Sequence, residues 1–237
     1  GNANYWLEHF NEAIDDFNKA LELDKSLNEA RIQRGWAHMR VGLMDRAVAD
    51  FSNALAENPK SARAVFAIGY LYGQRGDEEK ERQANEQAAA LDPTYYLARY
   101  NLAKNCECDE ENLLQALEII DALLAEGEAK LNKTESWSAG DFQTKDFYDS
   151  VLWRRIDLLV KLNRNEEARD RAMQLLEKYP EHPSLMMKVS QSYGGPQADY
   201  EMQLRWNGKV YEVCASKPID EFCFDVAQQR MYTLSLL

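Results

Sequence analysis

Apolar positions along the first half of the chain follow two superimposed periods. The short one is helical. Ala13, Phe17, Ala20, Leu21 and Leu23 recur at intervals of three and four, while Asp15, Asp16, Asn18, Lys19 and Glu22 take the other side. That pattern predicts an amphipathic helix, opened by Asn11 and Glu12. The long period is 34 residues. It relates Gly1, Gly35 and Gly69, Ala13 and Ala47, Phe17 and Phe51, Ala20, Ala54 and Ala88, and Pro59 and Pro93. A fixed period of this size in a helix-rich sequence signals a helical solenoid, in which each unit buries its apolar face against its neighbours.

The unit from Asn28 to Ser61 shows the plan. A first helix is predicted over about Asn28–Val41, stopped at Gly42. Asp45 is the expected cap of a second helix running to about Glu57, and Asn58-Pro59 breaks the chain. Gly35 and Ala47 are small where two antiparallel helices must approach closely. The next unit predicts helices from Ala62 to Arg75 and from the Gly76-Asp77 turn to Leu91. It carries Glu81 where Ala13 and Ala47 stood and Asn85 where Phe17 and Phe51 stood, so a thinner local core is expected.

With small residues at the helix contact, an aromatic in the second helix and a closing proline, these units resemble tetratricopeptide repeats. Ala13, Phe17 and Ala20, and Ala47, Phe51, Ala54 and Pro59, carry the resemblance. It implies an all-α fold, a right-handed solenoid of antiparallel helix pairs, over residues 1–126 with the first unit truncated. The fourth unit is predicted as a helix over YLARYNLAKN, a turn over CECDEEN, and a helix carrying Ala116, Ile120 and Leu123. Residues 127–147 form an irregular insertion, with a helix continuing to Asn132 and then a loop of about 10–12 residues. A further repeat follows at 148–182, where Ala168, Ala172, Leu175 and Tyr179-Pro180 restore the pattern. Residues 183–237 are expected to be atypical C-terminal capping helices, over 183–193, about Gln197–Val213 and Pro218–Leu234.

A net charge of −12 and a pI of about 4.8 argue against nucleic acid as a partner, because phosphate neutralisation needs Lys and Arg. No run of 18 apolar residues suggests a membrane span. The four cysteines, Cys106, Cys108, Cys214 and Cys223, are too few for a disulfide scaffold and read as reduced thiols, with a Cys214–Cys223 bridge as the alternative in an exported protein. The expected compartment is the cytoplasm. A signal ahead of Gly1, where the chain opens inside a repeat, would make it periplasmic or exported.

Little here points to chemistry. His9, His38 and His182 lie far apart and have no evident nucleophile, and no phosphate loop or cofactor motif is recognised. The CxC pair at Cys106 and Cys108 lacks the second pair or histidine of a metal site. The acidic runs at Asp77 and Asp109 sit at predicted helix starts, where they complement the helix dipole. The expectation is therefore a non-enzymatic protein with no metal and no cofactor.

In the family it resembles, the first helix of each unit lines a concave surface. Helical spacing then places Gln33, Trp36, Arg40, Arg63, Phe66, Tyr70, Tyr100 and Asn101 on that surface, a mixture of rings and polar groups suited to recognition. They are the candidate peptide-binding residues. The competing reading packs the same rings between helices. Some members clamp an acidic chaperone tail, but Ala67 lacks the charge that clamp needs, and that ligand is not predicted. The expected function is binding a peptide or extended segment of another protein. A structural subunit that self-associates or docks through Phe222, Phe224, Met231 and Leu236–Leu237 is the alternative, which would make the chain a homo-oligomer.

Overall fold

The computed structural model describes residues 9–105, 110–133, 146–194 and 198–215. They form twelve helices and, among the described residues, no strand. The chain divides into two compact units, Gly1–Asn105 and Cys106–Leu237, so the break falls inside the fourth sequence repeat.

The first unit holds α1 (Phe10–Leu23), α2 (Asn28–Arg40), α3 (Met44–Glu57), α4 (Ala62–Gln74), α5 (Glu78–Leu91) and α6 (Tyr96–Asn105). Each packs on the next, and the first helices of successive repeats, α2 and α4, also touch. The core repeats as the sequence does. Ala13 and Phe17 on α1, and Ala47, Phe51 and Ala54 on α3, are all buried. Ile32, Ala64, Ala67 and Leu71 join the α3 residues in one cluster, with Trp36 packed on its edge. A Cβ on Gly35 would stand 2.4 Å from Phe51 Cε1, so the ring packs on bare backbone here.

Helix ends explain the 34-residue register. Gly42 and Gly76 adopt φ of 79° and 77°. At the first, Leu43 N–H donates to His38 O (2.8 Å) and Gly42 N–H to Met39 O (3.0 Å), closing a Schellman turn. The same pair of bonds recurs at Gly76 and, with asparagine supplying the left-handed residue, at Asn163. Asp45 does not cap α3: Leu43 holds that position and Asp45 lies in the first turn, where it still complements the helix dipole. Asp77, by contrast, caps α5 by accepting from Lys80 N–H.

The repeat with Glu81 and Asn85 is rebuilt with polar contacts. Asn85 is buried, and its Nδ2 donates to Asn105 Oδ1 (2.8 Å) while Asn105 Nδ2 reaches Glu81 Oε2 (3.3 Å). Gly73 has lost the side chain that Met39 carries one repeat earlier, and the Glu81 carboxylate covers its backbone. The expected thinner core is thus a hydrogen-bonded seam.

The second unit holds α7 (Glu110–Leu124), α8 (Glu128–Leu131), α9 (Phe147–Lys161), α10 (Asn165–Lys178), α11 (Pro183–Gln191) and α12 (Tyr200–Ala215). α9 packs on α7, α8, α10 and α11, and α12 covers α11. Ala116, Ile120 and Leu123 on α7 and Ala168 and Ala172 on α10 are fully buried. Two boundaries differ from expectation. α7 begins at Glu110, within the stretch expected to be a turn. The helix also does not run unbroken to Asn132; it stops at Leu124, and Gly127, with φ of 87°, starts the short α8. The expected loop after Asn132 and the helix over Pro218–Leu234 fall largely or wholly outside the described residues, as do Phe222, Phe224, Met231 and Leu236–Leu237. Cys214 is disulfide-bonded, which corrects the expectation of reduced thiols at that position.

Candidate functional site

The candidate residues of the first unit lie on its first helices, α2, α4 and α6. Trp36 is the hub. Its ring stands 5.0 Å from Phe51, 6.2 Å from Phe66 and 5.3 Å from Tyr70, and Phe66 meets Tyr95 edge-on at 5.3 Å. Tilted and edge-to-face contacts at these separations hold aromatic rings in fixed orientations.

The eight residues do not share one environment. Phe66, Tyr100 and Gln33 are buried, at 5%, 3% and 8% exposure. Gln33 Nε2 donates to Glu29 Oε1 (3.0 Å), and Arg63 Nη1 donates to the same oxygen (2.8 Å). Trp36, Arg63, Tyr70 and Asn101 are half-buried, and Arg40 is exposed, its guanidinium 4.5 Å above the Phe10 ring. Phe66 and Tyr100 therefore belong to the packing and back the face. Trp36, Tyr70 and Asn101 have partly open surfaces, and the Trp36 Nε1, Tyr70 hydroxyl and Asn101 amide have no hydrogen-bond partner among the described residues.

The second unit carries a different surface at equivalent positions. A shift of 121 residues superposes Ala168, Ala172, Leu175 and Pro180 on Ala47, Phe51, Ala54 and Pro59. The same shift sets Arg154, Asp157 and Lys161 where Gln33, Trp36 and Arg40 stand. Asp157 is buried and bonds Lys188 (2.5 Å), Lys161 (3.1 Å) and Arg154 (3.5 Å). Burial pushes its carboxyl up, but Lys188 and Lys161 outweigh that and hold it below the usual carboxylate range. The sequence shows the first helix of this repeat, YDSVLWRRIDLLVKL, as strongly amphipathic but does not single out Asp157. The 121-residue shift was the signal that would have found the cluster.

The tetratricopeptide-repeat family model matches residues 32–96, covering the aromatic hub and the α2–α5 pairs. Residues 32–96 carry tetratricopeptide repeats. Over 100 residues it is 33% identical to tetratricopeptide repeat protein 14 of Mus musculus, covering 39% of this chain and 13% of that protein. Over 64 residues it is 41% identical to the peptidyl-prolyl cis-trans isomerase FKBP4 of Bos taurus, covering 26% of this chain and 14% of that enzyme. The chain thus spans only about one seventh of the length of these curated relatives. Among solved structures, the tetratricopeptide-repeat protein YrrB, described as having an unusual peptide-binding site, superposes with a TM-score of 0.63 at 18% identity, over 90% of this chain and 97% of its own. The type IV pilus biogenesis factor PilW gives a TM-score of 0.68 at 12% identity, over 88% and 86%. At such identities the likeness is one of fold.

Tetratricopeptide repeats generally mediate protein–protein interactions, and their scaffolds are generally non-enzymatic. Among the described residues, no group of histidine, cysteine or acidic side chains is arranged to hold a metal, and no helix is long and apolar enough to cross a membrane. The Cys106 and Cys108 pair lies outside the described residues.

Proposed function

We propose that the first-helix face of the amino-terminal repeats binds an extended segment of another protein, with Trp36, Arg40, Arg63, Tyr70 and Asn101 in contact and Gln33, Phe66 and Tyr100 behind them. The observation that carries this is the set of uncommitted polar groups, Trp36 Nε1, the Tyr70 hydroxyl and the Asn101 amide, beside rings already locked in place. An extended peptide presents carbonyls and N–H groups at regular intervals, and such a face can meet both while burying apolar area on the rings. Pre-ordered side chains lower the entropy lost on binding. That YrrB, similar in fold, is described as a peptide-binding tetratricopeptide-repeat protein favours the same reading.

The test is selection of random displayed peptides on the full chain, followed by affinity measurement on variants. Tyr70→Ala combined with Asn101→Ala removes contacts without touching Phe51. The expected loss for selected peptides is at least about tenfold, or 1.4 kcal/mol. Peptides that bind this variant as tightly as the parent chain place the site elsewhere.

A further inference from the structure

We propose that a second, polar cavity, formed by α1, α2 and α3, binds an oxyanion, with a phosphate group as the ligand class. The cavity is an open depression of about 300 Å³, with Arg34, His38 and Asp50 at its base, Asn18 at its side, and the exposed Arg46, Ala49 and Asn53 at its rim. That volume is at the small end of ligand sites and admits a phosphate group with a short organic stem.

The lining divides into residues with partners and residues without. Asp50, 3% exposed, takes the Arg34 fork through Nε (3.0 Å) and Nη2 (2.5 Å) and faces His38 Nδ1 at 3.0 Å. Arg34 Nη1 also donates to Asn18 Oδ1 (2.8 Å), tying α1 to the pair. A carboxylate can only accept, so Nδ1 carries the hydrogen and Nε2 is left as the open ring nitrogen. His38 is itself 5% exposed, and its Nε2 has no protein partner among the described residues. Arg46 and Asn53 line the same cavity, are exposed to solvent and have no hydrogen-bond partner among the described residues.

The charges point the same way. Arg34 balances Asp50, which leaves Arg46 in excess in a chain whose net charge is −12. The groups facing His38 are Arg34 from its own helix, Asp50 and Arg46 from α3, and the neutral Asn18 from α1. Burial holds the imidazole below its ordinary range, Asp50 pulls the other way, and the two arginines add to the depression. An anion beside Nε2 would reverse that balance and bring a proton onto the ring. Arg46, the Asn53 and Asn18 amides and a protonated Nε2 would then offer donors from several directions, which suits a tetrahedral oxyanion better than a planar carboxylate.

The experiment follows the His38 ring nitrogens and protons by NMR in the full chain at fixed ionic strength. Inorganic phosphate, O-phosphoserine and acetate are titrated in separate arms. The expected result is a saturable shift at His38 with phosphate or O-phosphoserine, a rise in the His38 pKa on binding, and at least tenfold weaker binding to Arg46→Ala. The phosphate and O-phosphoserine arms distinguish a free anion from a phosphorylated side chain. No saturable change at His38, equal binding by Arg46→Ala, or acetate binding as well as phosphate would each overturn the proposal.

Discussion

Gly35 and Gly73 both lie on first helices where a methyl group has no room, yet they predict opposite outcomes. At Gly35 the added atom meets the Phe51 ring, at 2.4 Å, inside a packed core. Gly35→Ala should lose about 1–2 kcal/mol net, overpacking of about 1–3 kcal/mol being partly offset by about 1 kcal/mol of helix propensity. Phe51→Leu in the same chain should recover part of the loss, visible as non-additivity in denaturant midpoints. At Gly73 the obstacle is the end of the Glu81 side chain, which can swing aside. Gly73→Ala should therefore be within about 0.5 kcal/mol of the parent, or more stable. His38 gives a third expectation at this scale. Its pKa is lowered by burial, so the unfolded chain takes up a proton near pH 6.5 that the folded chain resists. Stability should fall as pH drops from about 7.5 to 5, and thermal melts of His38→Gln should show less of that fall.

Two helix faces behave differently despite a shared register. On α2 the candidate positions hold Gln33, Trp36 and Arg40; on α9 the equivalent positions hold Arg154, Asp157 and Lys161, and Lys188 of α11 joins them at the Asp157 carboxylate. Its lowered pKa contributes stability that is present above about pH 4 and lost as pH falls through the folded value. Asp157→Asn removes the buried carboxylate that Lys188 and Lys161 pair with and should cost on the order of 3 kcal/mol, read by chemical denaturation at neutral pH. The helices were legible because Ala47, Phe51, Ala54 and Pro59 recur as types, and a repeated type at a fixed interval survives without coordinates. What was not legible was which rings face outward. Phe66 and Tyr70 have the same chemistry four residues apart, but Tyr95, from the turn after α5, meets Phe66, and spacing alone does not reveal that contact. The buried Asn85–Asn105–Glu81 seam is not legible in the sequence for a related reason: its partners lie up to 24 residues apart.

For the whole chain, a stack of repeats gains its stability from each unit and its immediate neighbours. Phe51→Ala, which empties a fully buried ring site, should cost about 3–5 kcal/mol where it acts. Hydrogen exchange should accelerate in α2, α3 and α4 and change little in α9, α10 and α11. The central claim, that the Trp36 face takes a protein segment, has its most direct test in the five tryptophan indole N–H signals of the labelled full chain. On adding a selected peptide, the Trp36 signal should shift to saturation while those of Trp153 and Trp206, in the second unit, stay in place. A bound peptide that leaves the Trp36 signal unmoved would contradict the account.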